Sequence, residues 1–206
     1  MSSIQAKVRW VMISYLIAYA LIHSTLASLQ FKRLAWLTLG PGIDSWYTKA
    51  FGIQAAVGLL PLGTMLLLFP GKRLYVAPLP WRWIMILGQF LAGYLTLRAF
   101  KDAPHRFSVK AQLSKPGSIE AGPLGIKGVY CWIRDPFLLS GLLQIWFTPF
   151  MASNLLAVYA LTTVYLFLGS LHWEKRLLSQ FGLEYKRYQE QVPRLLPWKN
   201  PCKPKF

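Results

Sequence analysis

The chain has 206 residues, a formal net charge of +16, and 15% charged against 54% hydrophobic side chains. Soluble domains carry about 25% charged residues, and several stretches here approach the roughly 20 apolar residues that cross a bilayer. An ordinary soluble domain is excluded, and the composition predicts an all-α, polytopic membrane helical bundle. The basic residues lie in loops and the tail, where the positive-inside rule and anionic headgroups account for them. No nucleic-acid partner is expected.

Lys7 and Arg9 precede an apolar run over 10–29. That run is too long for the apolar core of a signal peptide and reads as a retained first span. His23 is its one group that titrates near neutral pH, roughly 9 Å from the cytoplasmic end of the helix at 1.5 Å per residue. Two readings stay open for it. It packs against a neighbouring helix with Ser24, Thr25 and Ser28 as small interface residues, or it faces a cavity as a functional group. Residues 34–46 are apolar but broken by Gly40-Pro41-Gly42, and read as a loop or interfacial segment. Trp36, Trp46 and Tyr47 would lie there at headgroup depth.

Further spans are expected over 48–69, 81–100, 137–151 and 154–171, making about five, with the fourth short for a crossing. The polar loop 101–133 is rich in Pro and Gly, and a loop of that length is usually functional or disordered. The loop and the tail after Leu171 hold most of the Lys and Arg, whereas the turn 148–153 holds none. The loop, the tail and the Lys32-Arg33 turn are therefore expected in the cytoplasm, and the N-terminus outside. Lys7, Arg9, Lys72, Arg73 and Arg82 then fall outside, against that rule. The whole chain, 1–206, reads as one membrane domain. Cys131 and Cys202 fall on the cytoplasmic side, where disulfides are rare, and no Cys/His cluster points to a metal.

Two polar segments bracket the last apolar hairpin. The first reads Gly128-Val129-Tyr130-Cys131-Trp132-Ile133-Arg134-Asp135-Pro136. Asp135 suits an N-cap and Pro136 a first helical turn, while the Arg134 guanidinium could hold a carboxylate by paired hydrogen bonds. The second segment carries Glu174, Leu177, Phe181-Gly182, Tyr185 and Tyr188, then Pro193 and Pro197. It reads as an amphipathic C-terminal helix with Leu177, Leu178, Phe181 and Tyr185 inward and Lys186 and Arg187 outward. The hairpin would bring both segments to one membrane face.

These residues resemble the integral membrane methyltransferases, a superfamily that includes isoprenylcysteine carboxyl methyltransferase and the phospholipid methyltransferases. Their pattern runs Gly-x-Tyr-x-x-x-Arg-His-Pro, a membrane hairpin, Glu-Glu-x-x-Leu and Phe-Gly-x-x-Tyr-x-x-Tyr. Gly128, Tyr130, Arg134 and Pro136 match its first part; Glu174, Leu177, Phe181, Gly182, Tyr185 and Tyr188 match its second. Asp135 stands at the family's His, and Trp173 at the first Glu of its pair. His23-Ser24-x-x-Ala27-Ser28 is similar to NnrU-like and methanethiol S-methyltransferase-like members.

The resemblance implies S-adenosylmethionine as cofactor, held by the half of the chain over 101–206. Arg134 would hold its carboxylate, and Asp135 and Glu174 its polar donors. Tyr130, Tyr185 and Tyr188 would flank it, beside Gly128 and Pro136. The acceptor would be a small thiol or a lipid-like molecule, with His23, Ser24 and Leu138 lining its pocket and His23 as a base. The same resemblance leaves two alternatives: a haem-binding, isomerase-like protein with His23 as ligand, for which Asp135 replaces an imidazole poorly, or a non-catalytic member.

Overall fold

The structure is a computed structural model, and it describes residues 2–114 and 124–198. Its helices are α1 (Ser2–Ala27), α2 (Leu29–Leu39), α3 (Ile43–Leu68), α4 (Leu79–Asp102), α5 (Val109–Leu113), α6 (Pro136–Trp146) and α7 (Ser153–Gln191). Two short strands, β1 (Arg73–Val76) and β2 (Phe150–Ala152), complete the regular structure. Among the described residues four helices, α1, α3, α4 and α7, are long and apolar enough to cross a membrane. Their outer faces stay apolar and exposed, as at Leu67, Phe90 and Leu97. Lipid rather than water suits such surfaces. This is an all-α polytopic membrane bundle.

The expectation of five spans changes in two ways. The fourth becomes α6, 11 residues long, about 16 Å at helical rise against a hydrocarbon core of about 30 Å. The fifth runs on into the tail as α7, 39 residues with one non-helical position, Gly182 at φ 51° and ψ −123°. An L-residue rarely adopts that backbone, so Gly182 permits the helix to change course between its halves. Residues 34–46 are not a loop either. Ser28 caps α2, its Oγ accepting from Phe31 N, and the helical run breaks only over the expected Gly40-Pro41-Gly42, with Gly40 at φ 75°.

The chain divides into two compact units. The first comprises residues up to Leu79 with Pro149–Tyr165. There α1 packs on α3: the Tyr15 and Tyr19 hydroxyls donate to the Gly58 and Ala55 carbonyls at 2.8 and 2.9 Å. Met12, Leu16, Leu62 and Val158 form the core between them. β1 and β2 pair antiparallel, with Val76 opposite Phe150 and a bulge between Arg73 and Tyr75. Asn154, fully buried, ties this end together. Its Nδ2 donates to Phe69 O at 2.8 Å, and its Oδ1 accepts from Arg9 Nε at 2.9 Å. It thus satisfies a carbonyl left over where α3 ends.

The second unit comprises Pro80–Thr148 and the residues from Leu166 on. α4 meets α6 through Gln89 Nε2, which donates to Gln144 O at 3.0 Å, and Thr96 Oγ1, which donates to Ser140 Oγ at 2.9 Å. Phe100, Phe107 and Phe137 stack on one another by edge and tilt. Within the expected loop, 101–133, the chain forms 3-10 turns at Pro104–Phe107 and Gly128–Cys131 and the short helix α5. Leu124 packs against Leu177, Tyr185, Tyr188 and Val192 of the tail. The inward face expected for the tail helix holds at Leu177 and Tyr185, while Leu178 is exposed.

Candidate active site

In the second unit the two motif segments come together. Arg134 N donates to Pro193 O at 2.9 Å, and Asp135 N to Arg194 O at 3.1 Å. The chain just before α6 is therefore laced to the chain just after α7. On this backbone Arg134 Nη1 donates to Glu174 Oε1 at 2.6 Å. Both side chains are mostly buried, at 13% and 16% exposure, so the pair is shielded from the screening that weakens surface ion pairs. The Tyr185 hydroxyl reaches the same carboxylate oxygen at 3.5 Å. Arg134 Nε is buried and without a hydrogen-bond partner.

Asp135 is the N-cap of α6, its Oδ1 accepting from Leu138 N at 2.9 Å. Its Oδ2 accepts from the Ser170 hydroxyl, and Ser170 Oγ also accepts from Arg194 Nη2 at 2.5 Å. Both carboxylate oxygens are thus engaged by the protein. Pro136 occupies the first turn of α6, as its fixed φ favours. Leu138 is buried.

Gly128 serves the same framework. Its φ is +57°, and a Cβ there would collide with the Asp102 carboxylate. That close approach lets Asp102 Oδ2 accept from Val129 N at 2.9 Å while Oδ1 pairs with Arg98 Nη2 at 3.0 Å. The next turn carries Tyr130, whose hydroxyl donates to Ala99 O at 3.2 Å and whose carbonyl accepts from the Tyr188 hydroxyl at 2.7 Å. The Arg106 guanidinium lies 4.3 Å from the centre of the Tyr130 ring. Burial pushes the Tyr130 phenol up to about 12, opposed by Arg106. Tyr185, past the apolar part of α7, is also raised to about 12, by burial and then by Glu174. Tyr130, Tyr185 and Tyr188 are all buried, and the rings of the last two lie 5.7 Å apart.

In the first unit, His23 is half-buried among aromatic rings. Its centroid lies 4.5 Å from Phe51, 5.7 Å from Tyr19 and 6.4 Å from Tyr165. Ser24 Oγ and the Tyr165 hydroxyl share a hydrogen bond at 3.0 Å. His23 Nδ1 and Gln54 Oε1 are both buried without a hydrogen-bond partner.

Arg134, Glu174, Tyr185 and Asp135 thus gather in one unit, on Tyr130 and Tyr188, while His23 and Ser24 belong to the other. Sequence reasoning did not find Ser170, Arg106 or Asp102, and it assigned Arg194 no role. Ser170 sits in an apolar run with no signal of its own. Arg106 and Asp102 stand among other loop charges that look alike in one dimension. Among the described residues no group of His, Cys, Asp or Glu could hold a metal ion.

The chain is similar over 191 residues to the methanethiol S-methyltransferase of Crocosphaera subtropica, at 27% identity, covering 87% of this chain and 71% of that protein. It is 28% identical over 198 residues to the methanethiol S-methyltransferase of a Pseudomonas species, covering 90% and 72%. A stretch of 72 residues is 35% identical to methanethiol S-methyltransferase 1 of Bradyrhizobium diazoefficiens, which covers 35% of this chain and 25% of that protein. No protein-family model matches the chain, and no solved structure matches it.

Proposed function

We propose that this chain, which belongs to the membrane methyltransferase family, moves a methyl group from S-adenosylmethionine to a small thiol. The observation that carries this reading is the junction of the two motif segments, locked by Arg134 on Glu174. That pair sets a cation beside an anion, which complements the carboxylate and amino groups at the methionine end of the cofactor. The unpartnered Arg134 Nε is a donor that such a carboxylate would satisfy.

When bound, S-adenosylmethionine supplies an electrophilic methyl group on a sulfonium. The residues of this chain have the tasks of binding, orienting and excluding water. Arg134 would hold the carboxylate and Glu174 the amino group, with the Tyr185 hydroxyl steadying Glu174. Asp135 would act as a positioning residue, since its oxygens already cap α6 and bind Ser170. Close in-line placement can lower such a barrier by several kcal/mol, on the order of 7–11 in the best cases. The excess of Lys and Arg in the loop and tail supports a cytoplasmic cofactor site and C-terminus.

Calorimetric titration of the purified protein with S-adenosylmethionine tests the cofactor. Headspace gas chromatography for a methyl thioether formed from methanethiol tests the acceptor. Absence of binding by folded protein overturns the reading; binding without thioether formation overturns the thiol.

A further inference from the structure

Beside the Arg134–Glu174 pair in sequence, but turned to different neighbours, the second unit carries a small open groove. Arg106 and Arg176 line it with Trp173, Phe181, Gln112 and Gln180, and none of its described lining residues is acidic. Arg106 is 5% exposed; one of its amino groups donates to Gly125 O at 3.2 Å, and its Nε is buried with no partner. Arg176 stacks 5.0 Å from the centre of the Trp173 ring, which uses the face of the guanidinium and leaves its edge, and its Nη2 is likewise buried and unpartnered. The neighbouring carboxylate, Glu174, is already taken by Arg134.

Two guanidiniums that line one groove, each with an unfilled buried donor and with no carboxylate among the described lining residues, make a site that an anion would complete. We propose that this groove binds the phosphate of an anionic phospholipid headgroup. A phosphodiester offers two free oxygens, one for each guanidinium fork. The positive sulfonium and ammonium of a methyl donor would be repelled by the same two groups. Depth favours a lipid source. The apolar stretch of α7 ends at Leu171, and Arg176 lies about 7 Å further along the helix axis. The headgroup layer is roughly 5–8 Å thick on each side of the hydrocarbon. Trp173, two residues past Leu171, suits the boundary between acyl chain and headgroup. This inference does not depend on the methyl-transfer reading.

The test uses purified full-length protein in neutral detergent, with the thermal unfolding midpoint followed during separate titrations with phosphatidylglycerol, phosphatidylcholine, inorganic phosphate and S-adenosylmethionine. The expected result is a rise with phosphatidylglycerol that Arg176→Gln weakens at least threefold in half-saturating lipid, while the exposed-site control Lys186→Gln leaves it unchanged. Gln180→Glu, which adds a carboxylate to the wall and keeps both arginines, is expected to abolish the rise. An Arg176-dependent rise with inorganic phosphate supports the site and assigns its phosphate to a soluble source. Equal responses in wild type, Arg176→Gln and Gln180→Glu overturn the proposal. So does an Arg176-dependent response to S-adenosylmethionine alone, which would give the groove to the methyl donor.

Discussion

Arg134 and Glu174 are 40 residues apart in the chain, and their side chains meet at 2.6 Å. One stands just before α6 and the other within α7, so the pair reports directly that the apolar hairpin has folded its two flanks together. Because each partner neutralises the other, neither is a free charge awaiting a ligand. A bound zwitterion would have to share the pair.

Glu174→Gln keeps the shape and removes the anion. Its expected effect is a loss of about tenfold or more in S-adenosylmethionine affinity, equivalent to about 1.4 kcal/mol, by calorimetry. Arg134→Lys keeps the charge but loses the planar fork and is expected to fall between wild type and Arg134→Gln. Unchanged affinity in Glu174→Gln would remove the pair from the cofactor site.

Asp135 stands where the family pattern has His, and its geometry predicts a structural cost rather than a gain on changing it. Asp135→Ala removes the cap of α6 and the acceptor for Ser170, and is expected to cost about 1–3 kcal/mol of stability. Asp135→Ser restores part of the cap and is expected to recover part of the loss. Asp135→His is expected to lower the thermal midpoint without raising cofactor affinity. A rise in affinity with Asp135→His would mark the present site as a degenerate one.

The long spans were legible because hydrocarbon requires about 20 apolar residues in a row, a signal carried by each helix alone. The motif segments were legible as residue types at fixed spacing, and the cap at Asp135-Pro136 follows from local chemistry. What was not legible depends on partners far away in sequence. The β1–β2 pairing joins two short segments with no strong alternation of their own. Asn154 looks like a span-start polar residue until Arg9 and Phe69 O are seen on it. The resemblance implies the tyrosines as walls of the cofactor site, whereas Tyr188 spends its hydroxyl on Tyr130 O. The continuity of α7 past Leu171 was hidden because the apolar run stops there and charged residues follow, so the tail reads as a separate amphipathic helix.

Gly128→Ala is expected to destabilise the second unit by about 1–3 kcal/mol. An L-residue at this positive φ costs roughly 1–2 kcal/mol, and the new Cβ would meet the Asp102 carboxylate. Pairing it with Asp102→Ala removes the collision but not the backbone cost. The double variant is therefore expected to be less destabilised than the two single losses summed, by thermal unfolding of all four proteins. Strict additivity would show that Asp102 and Gly128 are not coupled.

Alkali gives a further test. The Tyr130 and Tyr185 phenols are both raised to about 12 by burial, so the folded state holds their protons more tightly than the unfolded chain, where a tyrosine ionises near 10. The sign follows from linkage. The stabilisation from keeping these phenols neutral is fully present below about pH 10 and is lost as pH rises through about 12. Absorbance titration should therefore show these two among the ten tyrosines ionising only as the fold is lost. Tyr130→Phe removes one such group together with its bond to Ala99 O. Its stability at neutral pH is expected to fall by about 1 kcal/mol, while the decline between pH 10 and 12 becomes shallower than in wild type. An unchanged alkaline slope in this variant would mean that the Tyr130 phenol is not held neutral by the fold.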